Sequence, residues 1–378
     1  MKIGIVCYPT YGGSGVVATE LGKGLARAGH QVHFISSQPP ARLNHFQSDV
    51  FFHEVSFENY PLFEYPPYET ALASKIVDTV RYQGLDILHV HYAIPHASAA
   101  YIAKQILARN NINIPFITTL HGTDITLVGK DETFKPVVEF SIEMSDAVTC
   151  VSESLKNDTY TFFDIQKDIT VIPNFIDLTS FHKLDKNHFK KAIAPNGEHI
   201  LIHTSNFRPV KRIADVIHTF HLVAQKTPSK LLLVGDGPDR KMAEQLCRDL
   251  GCCEHVTFLG KQEAVGELLS IADLFLLPSE SESFGLAALE AFALEVPVIS
   301  SDAGGIPEIN IQGQTGFLCP VGDYEAMAEK SLLILSNPEL FAQMRENALA
   351  QAQKFDINSI MPYYEKLYQK VILAAAND

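Results

Sequence analysis

The chain has 378 residues, 46% of them apolar and 20% charged, with a formal net charge of −14. That length suits two domains better than one core, and the acidic balance argues against a nucleic-acid surface, where basic residues must displace counterions. No apolar run approaches the roughly 18–20 residues that span a bilayer, and the six cysteines, with no Cys-x-x-Cys pair, read as buried reduced thiols.

Lys2–Cys7 is apolar and β-branched and predicts a first strand. It lacks the long apolar core of a secretion signal and runs at once into turn residues, so the chain is expected to be cytoplasmic and free of membrane. Gly12-Gly13-Ser14-Gly15 then opens a helix over Val16–Ala28, and Gly13, Gly15 and Ala18 match the dinucleotide spacing G-x-G-x-x-A. Two features weaken a nicotinamide reading. Tyr8–Tyr11 lengthen the turn, and the second strand, Gln31–Ser36, ends without an acidic residue for a ribose hydroxyl. Such a loop suits any phosphate, through its free amides and the helix dipole, or no ligand at all.

Helices over Ser74–Tyr82, Ala97–Arg109 and Lys135–Met144 alternate with strands over Ile87–His91, Pro115–Leu120 and Ala147–Val151, and Asp168–Ile172 closes this first unit. The alternation implies a parallel sheet covered on both faces. His89 and His91 share one strand face, but no neighbouring carboxylate or cysteine completes a metal motif, so they read as structural. His121 follows a strand, where its ring could hydrogen-bond a sugar near a reacting carbon.

Pro173-Asn174-Phe175-Ile176-Asp177 reads as a linker, followed by a polar stretch through Gly197. The pattern then restarts. Strands are predicted over His199–Ser205, Lys230–Val234, Val256–Leu259, Leu274–Pro278 and Pro297–Ser300. Helices are predicted over Arg212–Gln225, Arg240–Leu250, Ala264–Ile271 and Gly285–Ala293, and a last helix, Ser359–Ala374, follows a break at Phe355-Asp356. Ligands of open α/β sheets bind beyond the carboxyl ends of strands, so two such units facing each other would share a cleft.

The second unit carries the stronger signals. Asn206-Phe207-Arg208-Pro209-Val210-Lys211-Arg212 follows its first strand, and cations there can neutralise a departing diphosphate. Glu282 and Glu290 are separated by seven residues across a loop–helix junction. The amides of Phe284, Gly285 and Leu286 lie at that helix start, a ready anion site. A sugar diphosphate could bridge them, with sugar hydroxyls on Glu282 and ribose hydroxyls on Glu290. Taken alone, each motif is also compatible with capping and solvated surface charge. The chain contains no Asp-x-Asp, a spacing that holds divalent metal on nucleotide sugars, which favours a metal-free mechanism.

Together these motifs resemble glycosyltransferase family 4 over essentially the whole chain. The resemblance implies the α/β GT-B fold, two Rossmann-like, doubly wound parallel-sheet domains facing across a cleft. Residues 1–175 with the C-terminal helix 358–378 would bind the acceptor, and residues 176–357 the nucleotide sugar. Within the family, His89–Ala97, Leu120–Thr126, Tyr65-Pro66-Pro67-Tyr68, Ser205–Arg208 with Lys211-Arg212, and Leu231–Pro238 resemble enzymes that join N-acetylglucosamine to L-malate, the first step of bacillithiol biosynthesis.

That resemblance implies a retaining transfer from UDP-GlcNAc to L-malate without metal or other cofactor. His121, Lys211 and Glu282 would be catalytic. Gly13, Ser14, Asn206, Arg208, Lys211, Glu282, Phe284, Gly285, Leu286 and Glu290 would hold the donor. Ser14, Tyr92 and Thr119 would contact the acceptor, and Arg42 is added for its charge after the second strand. One departure stands out: the family usually has Arg five residues before its phosphate lysine, where this chain has Asn206, and Arg208 is the candidate substitute. A different small acceptor, a UDP-sugar epimerase, a nicotinamide oxidoreductase and a non-catalytic sugar-nucleotide sensor stay open here, as does a homo-oligomer.

Overall fold

The computed structural model describes residues 1–10, 12–43, 48–56, 67–127 and 131–377; Tyr11 and the Tyr65-Pro66 part of the family-like segment lie outside them. The chain divides into two units, Met1–Asn174 with Ile357–Asp378, and Phe175–Asp356.

In the first unit the chain runs β1 (Lys2–Val6), α1 (Ser14–Arg27), β2 (Gln31–Ser36), β3 (Val50–Glu54), α2 (Tyr68–Gln83), β4 (Ile87–His91), α3 (Ser98–Ala108), β5 (Phe116–Leu120), α4 (Lys135–Met144), β6 (Ala147–Cys150), α5 (Glu153–Phe162) and β7 (Ile169–Val171). The strands form one sheet in the order β3-β2-β1-β4-β5-β6-β7, parallel throughout. Every residue of β4 and β5 is buried, as expected of central strands covered by helices on both faces.

The second unit follows as α6 (Asn187–Ile193), β8 (His199–Ser205), α7 (Ile213–Ala224), β9 (Ser229–Gly235), α8 (Arg240–Asp249), β10 (Val256–Gly260), α9 (Val265–Ser270), β11 (Leu274–Leu277), α10 (Leu286–Ala293), β12 (Val298–Ser301), α11 (Ile306–Ile309), β13 (Gly316–Cys319), α12 (Tyr324–Leu335) and α13 (Pro338–Lys354). Its parallel sheet has the order β10-β9-β8-β11-β12-β13. Helix α7 shows why these segments fold as they do: Ile213, Val216, Ile217, Phe220 and Val223 recur at helical spacing and all enter the core of this unit.

The last helix, α14 (Ile357–Ala375), returns to the first unit. Its buried stripe, Ile357, Ile360, Tyr364, Tyr368 and Val371, holds one face for about four turns. There the Tyr368 hydroxyl meets Nδ1 of His89 on β4 at 2.7 Å.

Four features were not anticipated. Edge strand β3 is only partly buried, and α5 buries just Leu155 and Thr159, so neither has a strong apolar period. Helix α6 buries none of its residues and sits inside what the sequence presents as a polar stretch. The elements from α11 to α13 continue the second unit, and α13 starts with an Asn337 cap and Pro338, a legible start signal left unused. Among the described residues no helix is long and apolar enough to cross a membrane.

Candidate functional site

Both sheets reverse strand order beside their first strand, and that reversal opens the crevice where doubly wound folds bind ligands. In the second unit it lies between β8 and β11, in the first between β1 and β4.

At the β8–β11 crevice, the chain leaves β8 through exposed Asn206 and Arg208 and then a single turn, Pro209–Lys211. Lys211 Nζ forms an ion pair with Glu282 Oε1, both groups being mostly buried. The same carboxylate oxygen accepts from Ser279 Oγ at 2.9 Å. The Glu280 amide donates to the Val210 carbonyl at 2.8 Å, so backbone and side chains fasten the two loops together. Below them, His203 Nδ1 donates to the Leu276 carbonyl at 2.8 Å, and Nε2 faces Ser205 Oγ, also at 2.8 Å. Burial holds that imidazole down at about 4, neutral at pH 7. Arg212 is spent locally, on Asp215 at 2.5 Å.

Glycines let neighbouring loops nest against these. A Cβ on Gly235 would stand 1.7 Å from the Ser205 carbonyl oxygen, and one on Gly304, with φ 57°, would stand 2.1 Å from the Glu282 carbonyl oxygen. The Gly305 amide then donates to that same Glu282 oxygen at 2.8 Å. Any side chain at these glycines would push the Lys211 or Glu282 loop out of place.

Gly285 adopts left-handed backbone and precedes α10 with no side-chain cap, so the first-turn amides keep their positive end of the helix dipole. Leu286 begins the helix and Glu290 is its fifth residue, half-buried. Phe284 turns its ring inward against Phe355, centroids 5.6 Å apart, leaving only its backbone for a ligand. The structure thus brings Lys211 and Glu282 into contact and sets the Gly285–Leu286 helix start three residues beyond Glu282.

At the β1–β4 crevice, Gly13 has φ 54° and starts α1, again without a side-chain cap. Ser14 Oγ donates to Tyr92 OH at 2.7 Å, linking the loops after β1 and β4. Beside them His121, immediately after β5, meets His91 with Nε2 to Nδ1 at 2.8 Å. Asp124 accepts from the amides of Ala93, His121 and Gly122 at 3.0, 3.3 and 3.1 Å, tying the Tyr92 turn to the His121 turn. Burial raises its carboxyl to about 6, against those hydrogen bonds.

Two of the expected acceptor residues stand apart from the Ser14–Tyr92 pair. Thr119 is wholly buried, its hydroxyl engaged by His89 Nε2 and Thr149 Oγ1, both at 2.6 Å, so it backs the histidines from inside the sheet. Arg42 follows β2 in left-handed backbone, half-buried, one strand removed from the crevice. Asp124 and His96 also stand here without having been marked by the sequence, as does His91, which the sequence presents as structural. The signal available for Asp124 was its place three residues after His121. Among the described residues no group of three or more His, Cys, Asp or Glu stands together as metal ligands would.

Comparison with known proteins agrees with this layout. Residues 11–180 match the Glycosyltransferase Family 4 description and residues 185–351 that of Glycosyl transferases group 1. The chain is 48% identical over 98% of its length to the N-acetyl-alpha-D-glucosaminyl L-malate synthase of Bacillus anthracis, covering 97% of that protein. Anabaena Alr3699/HepE, solved with UDP and glucose, superposes with a TM-score of 0.82 at 21% identity, over 98% of this chain and 99% of the other. Sucrose-phosphate synthase from Thermosynechococcus elongatus does so with a TM-score of 0.80 at 22% identity, over 99% and 100%. The architecture is GT-B.

Proposed function

The chain belongs to glycosyltransferase family 4, and from that premise we propose that it transfers N-acetylglucosamine from UDP-GlcNAc to the hydroxyl of L-malate, the opening step of bacillithiol biosynthesis, in the cytoplasm. The 48% identity across nearly the whole chain supports these substrates. The observation that carries the mechanism is the Lys211–Glu282 pair at the β8–β11 crevice, beside the uncapped start of α10.

Departure of UDP leaves negative charge on the β-phosphate while the anomeric carbon becomes oxocarbenium-like. Lys211 and the amides at Gly285 and Leu286 stabilise that charge, with Asn206 or Arg208 assisting from the same loop. Glu282 accepts hydrogen bonds from the sugar and Glu290 from the ribose. In the first unit Gly13, Ser14 and Tyr92 serve the acceptor side, Arg42 takes a malate carboxylate, and His121 hydrogen-bonds the transferred sugar. Malate attacks the face that the diphosphate leaves, and a departing phosphate oxygen takes its hydroxyl proton. The configuration is therefore retained, and no side-chain nucleophile is used. Fixed cations and amides supply the charge that a divalent metal supplies elsewhere, so metal is not required.

The test is UDP release from UDP-GlcNAc across a panel of hydroxy acids and inositol phosphates, with EDTA present. Preference for L-malate and an α-linked product support the reading. Preference for another acceptor, loss of turnover in EDTA, or an isomerised UDP-sugar formed without acceptor would each reject the corresponding part of it.

A further inference from the structure

His91 ends β4, and its ring is wholly buried, stacked on His89 with centroids 4.4 Å apart. One ring nitrogen, Nδ1, lies 2.8 Å from Nε2 of His121. The other, Nε2, is sealed from solvent with no partner. Burial drives both imidazoles far to the neutral side, His121 to about 3 and His91 well below its usual value. Each ring therefore carries one proton, and a single proton occupies the bond between them.

Only two arrangements satisfy that bond. If His121 donates from Nε2, then His91 must carry its proton on the sealed Nε2, an orphaned buried N–H, which native structures almost never tolerate. If His91 donates from Nδ1, its Nε2 is a bare acceptor, a far milder defect, and the His121 proton moves to Nδ1. His96 repeats the solution next door. Its Nδ1 donates to the His91 carbonyl, leaving its own buried Nε2 as an unpartnered acceptor. His121 Nδ1 has no hydrogen-bond partner among the described residues, and His121 keeps 9% of its surface exposed, so that proton is left for a ligand.

We propose that His91 is a positioning residue that locks His121 in the Nδ1–H tautomer, so that His121 acts as a fixed, neutral hydrogen-bond donor to the transferred sugar and not as a base. The inference deepens the transferase reading and rests on it for the identity of the acceptor oxygen. The tautomer itself follows from the chain alone. A neutral donor suits a reaction in which the departing phosphate collects the proton, because it can hydrogen-bond a sugar oxygen without turning a lone pair towards that proton. The lock is made inside the sheet and reaches the ligand only through His121.

Histidine-selective nitrogen-15 NMR of the full chain at pH 7 reads the tautomer directly, with His121 assigned by the signals lost in His121→Asn. The expected spectrum shows His121 protonated at Nδ1 and His91 also at Nδ1. His91→Asn, whose amide N–H can replace the Nδ1 donor, should keep the His121 tautomer and most of kcat. His91→Ala should give a tautomer mixture and lower kcat by about 10–100-fold, as loss of an orienting partner commonly does, with the KM for UDP-GlcNAc changed far less. A wild-type His121 protonated at Nε2 would overturn the proposal, as would an unchanged tautomer and kcat in a folded His91→Ala. Should His91→Ala fail to fold, the wild-type and His91→Asn spectra still decide. No transfer with any acceptor, but the expected spectrum, would instead indict the functional reading and leave the lock standing.

Discussion

In the second unit the crevice at the strand-order reversal carries a lysine and a glutamate in contact, with an uncapped helix start three residues past the glutamate. In the first unit the equivalent crevice carries a serine bonded to a tyrosine, backed by His89, His91, His96 and His121, all driven neutral by burial. The two sheets share the arrangement of first strand in the middle and later strands on either side. Topology therefore says where a ligand meets each unit but nothing about its charge. The residues just past the strands decide that: a charged pair and an uncapped helix start in one crevice, hydrogen-bonded hydroxyls backed by neutral imidazoles in the other, which on the proposed function would serve the diphosphate and the orienting of hydroxyls respectively.

That division can be broken at graded cost. Lys211→Ala should lower kcat/KM by about 10²–10³, the usual loss for one preorganised group facing developing charge; steady-state UDP release checks it, and near wild-type turnover would contradict the role. Gly304→Ala forces a Cβ to 2.1 Å from the Glu282 carbonyl oxygen at positive φ, and should cost about 1–3 kcal/mol of stability by thermal or chemical melting. If it melts like the wild type, the Gly304 turn does not brace the Glu282 loop.

Acid should separate the two units. Unfolded histidines take up protons near 6.5, whereas burial holds His89 and His121 to about 3 and His96 to about 4. The unfolded state thus binds more protons below pH 6.5. The stability due to these rings is complete above that pH and drains away as pH falls towards their folded values. Asp124, raised from 3.8 to about 6, works in the opposite sense, its contribution being lost as pH rises through 6, but it is one group against four. The second unit has His203 at about 4 as its one buried histidine shifted this way among the described residues. Hydrogen exchange compared at pH 7 and pH 5, corrected for intrinsic rates, should show the first unit losing more protection than the second, by at least about tenfold. Equal losses would mean that the histidine cluster is not held neutral. The smallest effect is expected from Ser14→Ala, which removes the bond to Tyr92 and should raise the acceptor KM a few-fold, for a loss of about 0.5–1.5 kcal/mol.

Much of this was legible in the residues. The strand after which each functional segment comes was readable from apolar runs, because buried parallel strands such as β4, β5 and β11 leave an uninterrupted signature. Lys211 and Glu282 were singled out by type and position, but their direct contact was not, since 71 positions separate them and only the neighbouring of β8 and β11 joins them. The burial of Thr119 was equally hidden: period two along β5 marks a face but not the histidine that covers it. Asp124 and His91 meet backbone amides and a second ring, contacts of which the sequence shows only the place of Asp124 three residues after His121.

The most direct test of the charge division is UDP affinity, measured by titration calorimetry on the wild type, Lys211→Ala and His121→Asn. The account predicts that Lys211→Ala weakens UDP binding by about tenfold or more, as loss of a charge-assisted bond does. His121→Asn should bind UDP as the wild type does while transferring sugar more slowly. Equal UDP affinity in Lys211→Ala and wild type, or loss of UDP binding in His121→Asn, would contradict it.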